Sequence, residues 1–300
     1  MKHICCLCTV LILVCMASLS QAASGHYTSG VEGIRAASVP PPSGSGLYWK
    51  MYNVVYSADG IIDDQDNSLP GDFDLTVYAM ANRLIYSSNI TVLGGNLLFD
   101  MIVPLVYTDI SYQGIGPASF DDSQFGLGDI FLEPFFIGWH GKRWDALAAI
   151  GFYLPTGKFD QKEPASAGMG FWTTMFSLGG TVYFDQEKTW SASILARYQI
   201  HSEQDETDIT VGDHFSFEWG LGKQIGALDV GVSGYCLWQV NNDSGPGSDS
   251  FKERAYAIGP ELGYTFKPLG LNVAFRSQWE FENRNRPEGN ITTLNFTYAF

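Results

Sequence analysis

The chain has 300 residues, of which 45% are apolar, 14% aromatic and only 16% charged, with 33 glycines, 20 Phe, 15 Tyr and 8 Trp. That is a β-rich profile rather than a helical one, and the length allows one or two domains. The formal net charge is -15 and the pI about 4.6, without a cluster of Lys and Arg, which argues against a nucleic-acid partner.

Residues 1–22 read as a cleaved signal peptide. Met1, Lys2 and His3 form a weakly basic start, Ile4–Met16 an apolar core, and Ser20-Gln21-Ala22 a small-x-small cleavage site before Ala23. The alternatives are a membrane-spanning helix, for which the run is short of about 20 residues, and a lipoprotein signal at Cys15, where Val14 replaces the expected small residue. Cys5, Cys6, Cys8 and Cys15 lie in this segment and leave Cys236 alone in the mature chain. No internal disulfide, Cys-based metal site or cofactor is expected. Residues 23–46 are rich in Gly, Ser and Pro and precede the first strand. They are expected either in the periplasm or folded back as a plug, with His26-Tyr27 and the rigid Pro40-Pro41-Pro42 favouring a test of the plug.

From residue 47 onward, runs of about ten residues alternate apolar and polar, which is the period-two signature of strands. Twelve such segments are expected, at 47–56, 73–86, 94–107, 125–139, 144–155, 171–184, 189–201, 212–223, 227–240, 254–266, 271–281 and 292–300. Between them, long and short connections alternate. The stretches 57–72, 108–124, 156–170, 202–211, 241–253 and 283–291 are long, whereas 87–93, 140–143, 185–188, 224–226 and 267–270 are short. Short periplasmic turns and longer outer loops mark an outer-membrane barrel, and an even strand count puts both ends of the barrel chain on the periplasmic side. The expected fold is therefore all-β, an antiparallel up-and-down transmembrane β-barrel over residues 47–300.

A soluble sandwich or barrel would also alternate. Two features favour the membrane. Apolar faces end in aromatics, at Tyr256 and Phe266, Phe275 and Trp279, and Tyr298 and Phe300, as interfacial girdles require. The opposite faces carry Asp100, Asp129, Glu133, Arg197, Glu218, Glu261 and Arg276 deep in the strands. A dry core would not hold them, but a hydrated lumen does. The closing stretch Thr292–Phe300 alternates to its last residue, so Phe300 is expected to complete the lipid-facing side and to serve as a signal for the barrel assembly machinery.

Several motifs resemble one family. They are Gly25-His26-Tyr27, Gly30 and Pro40-Pro41-Pro42, then "FGLGDIFLEPFFIGWH" at 125–140 and "GFYLPTGKFD" at 151–160. In this order they are similar to the family named for the meta-pathway of phenol degradation. The resemblance implies an outer-membrane barrel, and through it uptake of hydrophobic or aromatic compounds. One departure stands out. Where the family pattern leads to an Asn-rich Gly segment before the Trp, this chain has Ala165-Ser166-Ala167-Gly168-Met169-Gly170-Phe171-Trp172, so no ligand role of those asparagines carries over.

The candidate lumen or constriction residues are Asp100, Asp129, Phe131, Glu133, Arg197, Glu218, Tyr235, Glu261 and Arg276, with Tyr183 as a further lumen aromatic. Asp129 and Glu133 share a strand face and are expected to pair with Arg197 or Arg276 as braces, or else to narrow the pore. The sharpest enzymatic alternative is a rim hydrolase built on His201 and His214 with Asp213 or Glu203. No GxSxG or HExxH motif accompanies it, and Gly220-Leu221-Gly222-Lys223 is only a P-loop fragment because Phe217 stands where its first Gly belongs. The acidic runs at Asp59, Asp63, Asp64, Asp66 and at Glu203, Asp205, Glu206, Asp208 lack EF-hand spacing and read as solvated loops. Three readings follow: a channel for a small-molecule solute, a barrel hydrolase, and a closed structural or surface-binding barrel. The channel leads. The expected surroundings are outer-membrane lipids and lipopolysaccharide.

Overall fold

The computed structural model describes residues 25–40, 46–114, 119–248 and 250–300. The signal segment, its cleavage site and Pro41-Pro42 lie outside the described residues. Among the described residues thirteen strands follow in order: β1 (Gly46–Ile62), β2 (Asp72–Val92), β3 (Gly95–Gln113), β4 (Ser119–Leu127), β5 (Ile130–His140), β6 (Trp144–Leu154), β7 (Thr173–Tyr183), β8 (Trp190–His201), β9 (His214–Ile225), β10 (Leu228–Gln239), β11 (Arg254–Phe266), β12 (Leu271–Arg284) and β13 (Arg286–Ala299). All neighbours are antiparallel, and β1 pairs with both β2 and β13, so the sheet closes on itself. Closure leaves no open edge along most of the wall, as a hydrocarbon environment demands.

The wall has twelve strand positions, because β4 and β5 share one. β4 pairs with the outer half of β3, Leu105–Gln113, and β5 with its inner half, Asn96–Ile102. The predicted segment 125–139 is thus one strand interrupted at Gly128-Asp129. Gly128 N donates to Pro104 O at 3.0 Å as the last bond of the β4 register, and pairing resumes at Phe131 opposite Ile102, shifted by one residue. Two expected outer loops, 108–124 and 283–291, are largely strand. β3 and β4 run on as a hairpin, and only Asn285, at φ 52°, separates β12 from β13. Polar residues such as Asp109, Ser111, Asp121 and Asp122 in the first and Asn283, Glu288 and Asn290 in the second dilute the period-two signal, while the backbone pairing continues.

Leu84, Phe99, Leu132, Phe135, Leu178, Ile194, Leu221, Val232, Ile258, Leu262 and Phe275 all expose their side chains outward. Soluble monomers rarely expose so many large apolar side chains on one surface. Trp144, Phe184, Trp190, Tyr264, Phe266 and Phe300 stand at the short-turn end of the belt, and a row of contacting rings, Phe215, Trp238, Tyr256 and Phe281, at the other. Phe300 N donates to Leu47 O at 3.1 Å, continuing the β1–β13 seam.

Candidate functional site in the barrel lumen

Residues 25–40 lie inside the barrel and are held mainly through their backbone. Glu218, on β9, accepts from Gly30 N and Glu32 N at 2.8 Å each and from the Tyr27 hydroxyl at 2.5 Å. Arg197, on β8, donates to the same carboxylate at 2.6 Å and sits 3.8 Å over the Tyr27 ring. Glu261 accepts from Ile34 N at 2.9 Å, while Arg276 and Asn295 donate to Val31 O. Gly33 permits this approach. A Cβ there would fall 1.8 Å from Glu261 Oε2, and a Cβ on Gly220 would fall 2.7 Å from Gly33 O. Gly30, at φ 96°, makes the bend that lets Tyr27, Gly30 and Glu32 all reach Glu218.

The segment has a direction. Near the short-turn end, His140 Nε2 lies 3.2 Å from Pro40 O, and Ser38 Oγ lies 3.0 Å from Tyr183 Oη. Toward the outer end, His26 Nε2 lies 2.8 Å from Asp129 Oδ2, at the interruption between β4 and β5. Asp129 also accepts from Gly157 N and Met169 N, both at 2.8 Å.

The predicted site residues all face the lumen, but their pairings differ from expectation. Asp129 and Glu133 do not pair with Arg197 or Arg276. Arg276 is the direct cross-strand neighbour of Glu261 and bonds it at 3.0 Å, and Arg197 reaches Glu218 one strand away. Each arginine is paired with a carboxylate on an adjacent strand of the wall, which offsets the desolvation of its buried charge. Glu133 and Asp100 instead meet Arg83, which bonds Asp100 and lies 3.5 Å from Glu133. Phe131 packs on Tyr153 at 4.6 Å. Tyr235 donates to Glu280 at 2.5 Å, a carboxylate shared with Tyr56 and Arg286.

Sequence reasoning missed Glu32, Lys50 and Arg83. Lys50 Nζ donates to both Glu32 oxygens, at 2.7 and 2.9 Å, and the Tyr52 hydroxyl donates at 2.6 Å. Arg83 Nη1 lies 3.6 Å away. Burial alone pushes the Glu32 carboxyl up, but the charges of Lys50 and Arg83, with the two hydrogen bonds, outweigh it and hold it at about 2. Arg83 could have been found, since it interrupts the lumen face Ala79, Ala81, Arg83, Ile85 in the way Asp100 interrupts the next strand.

The rim-hydrolase grouping is not assembled. His201 Nε2 lies 3.1 Å from His214 Nδ1 rather than beside Asp213 or Glu203, and Asp213 accepts from Tyr198 at 2.9 Å. Thr173 Oγ1 lies 2.6 Å from His26 Nδ1 and 2.7 Å from His201 Nδ1. Together with Asp129 this has the order of a nucleophile triad, but the Thr173 hydroxyl is buried and off the cavity wall.

Beside the N-terminal segment runs a cavity of about 730 Å³. Its β1–β3 side is mostly apolar: Val54, Val77, Ala79, Ala81, Ile102 and Val106. It extends to Asn272 and Thr297 near the short-turn end and to Gly128, Asp129 and Ala167 at the wall interruption. There the free edge of β4 is covered by side-chain bonds, Asp122 to Ala165 N and Gln124 to Glu163, rather than by a backbone ladder.

Solved structures show the same architecture. An outer membrane channel from Pseudomonas putida F1 aligns with a TM-score of 0.74 at 12% identity, covering 91% of this chain and 99% of that one. The transport unit of the autotransporter AIDA-I from Escherichia coli aligns at 0.51 and 8% identity, covering 96% and 98%. The β domain of the Bordetella autotransporter BrkA aligns at 0.50 and 14%, covering 85% and 100%. The curated proteins contain no significant sequence match. Residues 58–296 match the family described as "Putative MetA-pathway of phenol degradation", and the chain, a closed outer-membrane β-barrel with a lumen-bound N-terminal segment, belongs to that family.

Proposed function

We propose that this protein is an outer-membrane channel for the uptake of small hydrophobic or aromatic compounds. The observation that carries the reading is the apolar side of the lumen cavity. A water-filled pore for polar solutes has no use for Val54, Val77, Ala79, Ala81, Ile102 and Val106 on its inner wall, where each apolar side chain in water is unfavourable. A hydrophobic solute gains by lying on them and crosses a lipopolysaccharide leaflet poorly by itself. The P. putida structure with the same fold is a channel by its description, which supports the reading without naming a solute. Residues 25–40 act as a plug that restricts the bore, and the nine predicted lumen residues, with Arg83, line or brace it.

The test is uptake of labelled toluene, phenol and naphthalene by cells with and without the gene. Slower uptake of at least one compound in the deletion strain is expected, restored by the wild-type chain. Unchanged uptake of all three would count against the proposal. The assembly role of Phe300 belongs to the same set of proposals. Its deletion should lower the membrane-inserted fraction in cells while refolding of purified protein into detergent is nearly unaffected, and normal insertion in cells would sink it.

A further inference from the structure

Lys50 and Arg83 stand directly opposite each other on β1 and β2, both facing the lumen. Like charges in that position repel, so the wall carries a built anion site. Arg83 has wall carboxylates of its own in Asp100 and Glu133, whereas the ion pair of Lys50 among the described residues is to Glu32. Glu32 does not belong to the wall. It is carried in by the N-terminal segment, and its carboxylate is received by an ammonium, a phenol and a guanidinium, a set that would hold any carboxylate.

An apolar track leads away from this set. In register above the Lys50–Arg83 pair come the rows Tyr52, Ala81, Pro104 and then Val54, Ala79, Val106, and all of them line the cavity. A cationic end joined to an apolar track complements an apolar body that ends in an anion. A neutral head group would leave Lys50 beside Arg83 without the counter-charge that Glu32 supplies. A dianion would add excess negative charge beside Asp100 and Glu133. A monoanion replaces Glu32 one for one.

Resting on the channel reading above, we propose that the solutes bound most tightly carry a carboxylate on an apolar body, and that Glu32 is an internal mimic occupying their head-group site. The incoming carboxylate takes over the bonds from Lys50 and Tyr52, and Glu32 with its part of the N-terminal segment is released from β1 and β2. The channel is thereby plugged by a competitor of its own solute.

The probes are 4-phenylbutyrate and the matched neutral 4-phenylbutan-1-ol, titrated calorimetrically into the full-length protein in detergent, with empty micelles as blank. Wild type should bind the acid more tightly than the alcohol. Glu32→Gln should strengthen binding of the acid about tenfold, because a tethered competitor has been removed, and leave the alcohol unchanged. Lys50→Gln should abolish the preference for the acid. Equal binding of acid and alcohol by wild type, or no gain for the acid in a folded Glu32→Gln protein, overturns the proposal. Should Glu32→Gln fail to give the heat-modifiable folded band, wild type and Lys50→Gln decide by the same comparison. Binding of the alcohol without preference for the acid overturns only the head-group site. Binding of neither probe, together with unchanged cellular uptake, overturns the channel reading as well.

Discussion

The two sides of the lumen solve opposite problems. On β8–β13 many inward side chains are polar or charged, and Glu218, Glu261, Arg276 and Asn295 each bond the backbone of residues 25–40. On β1–β3 the inward side chains beyond Lys50 and Arg83 are largely apolar and face open space. The first side is a template for a chain. The second is a surface for something that is not a chain. A polar wall in a narrow bore must be satisfied bond by bond, and the N-terminal segment supplies the missing donors and acceptors. An apolar wall makes no such demand and is left free for exchange.

The largest expected effect lies on the polar side. Glu218→Ala removes the acceptor of three bonds from the segment and leaves Arg197 buried without its partner, at a cost of about 3–5 kcal/mol. Protease sensitivity of residues 25–40 and larger conductance steps in planar bilayers should follow while the barrel stays folded. An unchanged conductance would show that the polar wall does not hold the segment.

Next comes pH. The Glu32 carboxyl sits at about 2 in the fold, below its ordinary 4.5. The attachment it provides is fully present above pH 4.5 and is lost as pH falls through about 2, on the order of 3 kcal/mol in all. Conductance should rise over that window in wild type and not in Glu32→Gln.

Gly33→Ala should be milder. Its Cβ would displace the Glu261–Arg276 pair, at about 1–3 kcal/mol of overpacking. Lower thermal stability of the segment's protection against protease, with the barrel's own melting unchanged, is the expected pattern. The smallest stability effect belongs to the apolar side. Ala79→Leu projects into the cavity and should alter stability by less than about 1 kcal/mol. It should nevertheless slow hydrophobic flux, and equal flux would place the solute path elsewhere.

The wall was legible in the sequence because a barrel strand writes its two faces into alternate residues. The buried charges Asp100, Glu133, Glu218 and Arg276 stood out because they break that rule on one face only. Their partners were not legible. Arg197 with Glu218 and Arg83 with Asp100 depend on which strand lies beside which and in what register, information spread across separate segments. Glu32 was hidden for another reason. It lies in a stretch without periodicity, where nothing local separates a residue bound in a lumen from one in solvent. The interruption at Gly128-Asp129 left only a faint mark, the two glycines of "FGLGD", because strand residues continue on both sides.

The lumen segment runs from Pro40, near the short-turn end, up to His26, near the outer end, and joins the wall at Gly46 on the inner side. It is therefore threaded rather than locked, like a piston rod fixed at its lower end. Its withdrawal toward the periplasm would require no strand pair of the ring to open. The bonds to Glu218 and Glu261 are tied to particular residues, so a stroke of one residue, about 3.3 Å, takes every anchor out of step together. Full withdrawal, unlike the local release of Glu32, would therefore proceed in a single stroke, and anything bulky coupled ahead of Gly25 would have to pass through the bore before it was complete.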